Sequence, residues 1–140
     1  MKKRIVAIVM MCCLIFSIVP ISVQAALVEP IQPMWDNTTT VTANFSFDGT
    51  TGGFTVYVLG KSGVTNISVN IKLYYKNTSG SWTEIDTDWN YSVNQRIFSV
   101  SETFTGVADI EYKIEVSGTV TKNGYSEVIS KTATAICPGS

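Results

Sequence analysis

Glu84, Asp86 and Asp88 recur at every second position, so on an extended strand all three carboxylates project from one face. Like charges at that spacing repel, and a hard cation such as Ca²⁺ would relieve them with oxygen ligands. The i, i+2, i+4 pattern also matches the start of an EF-hand loop. The sixth position of that loop is Trp89 instead of Gly, however, and the twelfth is Gln95 instead of Glu. A solvated edge-strand face that discourages edge-to-edge pairing is the better account, and the expectation is that the chain holds no metal. The same carboxylates could serve glycoside hydrolysis, but nothing sets two of them across a cleft. Nucleophilic chemistry has less support, because the chain contains no His and so no Ser-His-Asp or Cys-His pair. Cys137 has no activating base beside it, and no Ser-x-x-Lys element occurs. The chain is expected to be neither an enzyme nor a cofactor carrier.

Aromatic residues are the remaining means of recognition. Trp35, Trp82, Trp89, Tyr91 and Tyr74 could form a stacking platform for the apolar face of a sugar, since indole and phenol pair an apolar body with a polar tip. In a small sandwich a Trp is more often core, and Trp82 is expected there. Yet on an unbroken strand Trp82 shares a face with Glu84 and Asp86, so burying it requires a bulge. Trp89 and Tyr91, together with Tyr74 on the face opposite Leu73 and Tyr75, are the binding candidates. For Trp89 and Tyr91, core and surface positions remain equally open.

The elements that must position these residues are strands. Apolar residues alternate with polar ones at Val41, Ala43, Phe45 and Phe47, at Phe54, Val56 and Val58, and from Ile67 to Tyr75. Ile110, Tyr112, Ile114 and Val116 repeat the pattern, with Glu111, Lys113 and Glu115 on the other face. Less regular strands cover Trp82 to Asp86, Arg96 to Thr103 and Glu127 to Ile136. Turns are expected at Asp48 to Gly53, Gly60 to Gly63, Asn77 to Gly80 and Lys122-Asn123-Gly124, where Asn-Gly favours a type I′ hairpin. About seven such strands make an all-β chain, a single antiparallel sandwich of the immunoglobulin-like kind over 38–136. Ile71, Leu73, Ile114 and Val116 should face inward. Residues 26–37, with Pro30 and Pro33, are expected to form an extended leader that covers a sheet edge or hangs free, and 137–140 a C-terminal tail that frays beyond Cys137.

Residues 1–25 carry an export signal. Lys2, Lys3 and Arg4 precede an apolar run from Ile5 to Val19, and Val23-Gln24-Ala25 supplies a cut site before Ala26. As a helix the run would span about 22 Å, short of the roughly 30 Å hydrocarbon core, so a secreted, extracellular product without a membrane anchor is expected. Loss of the signal leaves seven basic against eleven acidic residues, a formal charge of −4. That balance gives no electrostatic case for nucleic acid or for an anionic membrane. Only Cys137 would remain after cleavage, so no internal disulfide could form, and the thiol is expected to be free or paired between molecules. Five Asn-x-Ser/Thr sequons, at Asn37, Asn44, Asn66, Asn77 and Asn90, carry little weight in a Ser- and Thr-rich chain with a bacterial-looking signal.

Tyr112-Lys113-Ile114-Glu115-Val116 resembles the late strand of immunoglobulin and fibronectin type III domains, in which a Tyr near the strand start bonds back to the backbone. Ile114 stands where an antibody-type domain has its second cysteine, so that disulfide is not implied. The signal, Leu73-Tyr74-Tyr75, Gly80-Ser81-Trp82 and the Tyr112 strand together are similar to small exported proteins of Gram-positive bacteria. The resemblance implies a fold and a compartment and no activity. Two roles follow as expectations. One is an extracellular binding or surface-interaction module for a cell-wall glycan or an extracellular protein. The other is a structural protein or secreted effector or inhibitor without a small ligand. A contiguous exposed patch at Trp89 and Tyr91 would favour the first, and their burial the second.

Overall fold

The computed structural model describes residues 34–139. The expected export signal and residues 26–33 of the expected leader lie outside the described residues. Seven strands follow in order: β1 (Thr38–Asp48), β2 (Thr51–Gly60), β3 (Val64–Lys76), β4 (Trp82–Val93), β5 (Ile97–Thr105), β6 (Glu111–Lys122) and β7 (Tyr125–Ile136). They pair antiparallel in two sheets, β1-β2-β5 and β4-β3-β6-β7. This is an immunoglobulin-like sandwich in which the fourth strand sits beside the third. In the constant-type immunoglobulin order it would lie at the edge of the other sheet.

Period-two alternation generates the core directly. Phe54, Val56 and Val58 of β2 face Ile67, Val69, Ile71 and Leu73 of β3 and Tyr112, Ile114, Val116 and Val120 of β6, all buried. At one end Phe45, Phe47, Phe104 and Tyr112 form an aromatic cluster, with ring centroids 5.4–5.9 Å apart. Gly52 makes room for it, since a Cβ there would lie 2.6 Å from the Phe104 ring.

Several strands run beyond their apolar alternation, because the backbone ladder continues through polar residues. Thr51 to Gly53 join β2, so the first hairpin turns on Gly49 and Thr50 alone, with Gly49 at φ 56°. Asn123 and Gly124 have φ of 51° and 77°, the paired positive values that a type I′ turn requires. Tyr112 performs the expected back-bond: its hydroxyl accepts from the Val107 N–H at 2.9 Å.

The domain is also wider than its alternation suggests. Asn37 and Thr38 are buried, and the Glu127 carboxylate accepts from the Asp36 N–H, the Asn37 N–H at 3.1 Å and the Thr38 hydroxyl at 2.7 Å. The Asn37 side-chain amide donates to the Val120 and Tyr125 carbonyls. Lys61 Nζ donates to the Trp35 carbonyl. Residues 35–37 are thus docked on the domain beside the edge strand β7 and do not hang free. Cys137 is fully buried, and its backbone bonds to Ile110 and Asp109, so it belongs to the core and its thiol is closed to intermolecular pairing.

Candidate functional site

The aromatic candidates divide between the two faces of the β4-β3-β6-β7 sheet. Between the pairs Ile71–Trp89 and Leu73–Ile85, β3 advances two residues while β4 advances four, a bulge of two extra residues at Asp86–Asp88. An even number of extra residues preserves the alternation, so Ile85, Trp89 and Tyr91 all turn inward. The Trp89 ring meets Phe54 of the opposite sheet edge-on at 4.9 Å, and Tyr91 packs on Phe98 at 5.5 Å. The Tyr91 hydroxyl donates to Glu102 at 2.7 Å. Burial, the bond to Glu102 and its negative charge together push the Tyr91 phenol up to about 12.

These contacts fasten the sandwich along the flank where β4 and β5 are the outermost strands; on the other flank β1 and β7 run beside each other. Trp89 and Tyr91 are therefore half-buried bridges between sheets. Tyr74 points to the other side of its sheet, and the three candidate residues do not form one platform.

Trp82 is placed contrary to expectation. Expected in the core, it lies on the outer face opposite Lys76, half-buried there. Tyr74, opposite Glu84, lies diagonally from it, and Lys113 of β6 reaches both rings. The Lys113 ammonium is 4.6 Å from the Tyr74 ring centre and 4.9 Å from that of Trp82, while Lys76 sits 5.5 Å from Trp82. Each lysine also has a carboxylate: Lys113–Glu115 at 2.5 Å, Lys76–Glu111 at 2.7 Å and Lys72–Glu84 at 2.9 Å. The bond from Lys113 holds the Glu115 carboxyl below its usual range, against the effect of burial. Burial, reinforced by the Glu115 charge, raises the Tyr74 phenol.

The carboxylates at positions 84, 86 and 88 do not converge. Glu84 pairs with Lys72, Asp88 accepts from the Asn90 amide at 2.7 Å, and Asp86 is exposed on the bulge. Among the described residues, no three His, Cys, Asp or Glu side chains are grouped to hold a metal ion. An edge strand with a bulge and charged side chains is a protected edge. Glu102, turned inward on the outer strand β5, protects the facing edge in the same way.

Farther along the outer face the charges stop. Ser68, Asn70, Asn90, Ser92, Ser117 and Thr119 border a depression of about 350 Å³ across β4, β3 and β6. Gly118 lies at its floor, where a Cβ would meet the Ser68 carbonyl oxygen at 2.1 Å, so only glycine lets β6 approach β3 this closely. No single side chain in this region has distinctive chemistry, so the sequence alone does not mark it. Its signal is the run of neutral outward residues on neighbouring strands.

No family model matches the chain, and no curated protein matches it. Among solved structures, the chain is similar to the apo β-glucuronidase 3 of Bacteroides uniformis, with 12% sequence identity and a TM-score of 0.45. The match covers 70% of this chain and 12% of that one.

Proposed function

We propose that the chain is an exported, non-catalytic recognition module and that its contact surface is the outer face of the four-stranded sheet. One observation carries the reading. Tyr74 and Trp82 stand together on the solvent side of a sheet whose inner side already supplies the core, and the fold does not require large rings there. Aromatic anchors ringed by paired charges are the composition of an interface centre with a polar rim. The basic and apolar segment before Ala26 supports the extracellular setting. The rival role, a structural or effector protein without a small ligand, draws support from the lysines that cap both rings.

Trp82→Ala separates the two. On the mature protein it should reduce retention on washed cell walls or on secreted proteins at least tenfold, while the melting temperature stays within a few degrees, as for surface substitutions generally. Unchanged retention, or no retention of the wild type on either material, would remove the recognition reading in favour of its rival.

A further inference from the structure

We infer that the depression bordered by Asn70, Asn90, Ser117 and Thr119 is a subsite for a neutral, polyhydroxylated ligand, a segment of uncharged glycan; the inference rests on the recognition reading and names its ligand class.

The outer face of the four-stranded sheet has two unlike halves. Cross-strand rows through Lys76, Tyr74 and Lys72 carry three lysines and three glutamates, all paired with one another. The rows through Asn70, Ser68 and Asn66 meet only Ser, Thr, Asn and Val128 on the neighbouring strands. A face kept soluble by charge alone would not change character at one row. The depression lies in the neutral half.

Its lining is set before any ligand arrives. Asn70 Nδ2 donates to Asn90 Oδ1 at 2.6 Å, and Asn90 Nδ2 donates to Asp88 at 2.7 Å, which fixes both amide planes. Next to them Asn66 is held by Ser92, the Val93 carbonyl and Asn94. The Asn70–Asn90 bond leaves outside it the Asn70 carbonyl oxygen and one Asn70 N–H, and each hydroxyl of Ser117 and Thr119 offers one donor and two acceptor sites. Fixed amides lose little freedom on binding.

The chemistry selects the ligand. A sugar hydroxyl both donates and accepts, as Asn, Ser and Thr do, so every displaced water bond can be replaced. An anionic ligand finds no unpaired cation among these residues, and an apolar one would strand their amides and hydroxyls. A volume of about 350 Å³ lies at the lower end of the small-molecule range and suits one or two sugar units. Neither Tyr74 nor Trp82 lines the depression, so within it hydrogen bonding, without ring stacking, carries the contact.

Native electrophoresis of the mature protein through gels containing laminarin, dextran or dextran sulfate tests this. Retardation by at least one neutral polysaccharide is expected. Asn70→Ala should weaken it by about tenfold, the equivalent of one or two hydrogen bonds. Ser117→Lys, at an exposed position, should abolish it by adding an unpaired cation, with both variants melting as the wild type does. Retardation by dextran sulfate alone, by none of the three, or to the same extent in both variants would overturn the proposal. If cell-wall retention is lost in Trp82→Ala while no neutral polysaccharide retards the wild type, the glycan subsite falls and the recognition reading stands.

Discussion

Trp89→Ala should cost the domain about 3–4 kcal/mol. A Trp side chain buries roughly 150–250 Å² in a protein interior, worth about 4–6 kcal/mol at ~25 cal/mol/Å². Trp89 stays partly exposed on the outermost strand, which lowers that to roughly 3 kcal/mol, and the lost edge-on contact with Phe54 adds about 0.5–1 kcal/mol. The sum sits within the range of about 3–5 kcal/mol for emptying an aromatic site. For a domain this size it lowers the melting temperature by roughly 15–25 °C. Urea unfolding followed by far-UV circular dichroism is the appropriate assay, because the substitution also removes one of the three tryptophan fluorophores. Trp89→Phe keeps a ring over Phe54 and should lose only about 1–2 kcal/mol. A loss below about 1 kcal/mol for Trp89→Ala, with cell-wall retention selectively weakened, would refute the inward placement and restore Trp89 as a surface ligand.

Three further perturbations read other parts of the fold. Tyr112→Phe keeps the buried ring and deletes only the bond from the Val107 N–H, so it should cost about 1–2 kcal/mol in urea titrations; no change would mean that water replaces the hydroxyl freely. Burial opposes ionisation of Glu127, but hydrogen bonds from Thr38, Asp36 and Asn37 outweigh it and hold the carboxyl below its usual value. A depressed carboxyl contributes stability that is complete above its unfolded pKa and lost as pH falls through the folded one. Glu127→Gln should therefore unfold at lower urea than wild type at pH 7, and the gap should narrow below about pH 4; a gap independent of pH would show that the charge is immaterial. The buried Cys137 thiol should resist iodoacetamide in buffer and react fully in urea, with monomer on a non-reducing gel, whereas rapid native alkylation or a disulfide dimer would contradict its burial.

Where one strand face is uniformly apolar, the sequence pattern was sufficient. Ile71, Leu73, Ile114 and Val116 are buried as their alternation requires, the Asn123-Gly124 turn has the backbone its residues demand, and Tyr112 makes its corner. The fourth strand was harder, because from Trp82 to Tyr91 both faces carry aromatic and polar side chains in turn. The two extra residues at Asp86–Asp88 leave the alternation intact, but local residue types do not encode a bulge's length, so the pattern alone leaves the faces beyond it open. Trp82, expected in the core, lies on the outer face, and Trp89, left open between core and surface, turns inward. The docking of Asn37 and Cys137 was hidden for another reason: their partners, Glu127 and Ile110, are brought near only by the completed sandwich. The candidate site was legible in part. Tyr74 was placed on the outer face by its position opposite Leu73, whereas the amide and hydroxyl depression exists only once three strands lie side by side.

The carboxylate that holds Asp36, Asn37 and Thr38 lies 89 to 91 residues farther along the chain. Synthesis delivers the first strand well ahead of the side chain that secures it, by roughly 5–18 s at ~5–20 residues per second. Throughout that interval the first hairpin can form, but its docking on the last strand cannot. Strand pairings between distant parts of a chain are in any case slow to form. Closure of the flank where β1 runs beside β7 therefore waits for the seventh strand, whereas the pairings of β2 with β5 and of β3 with β6 do not.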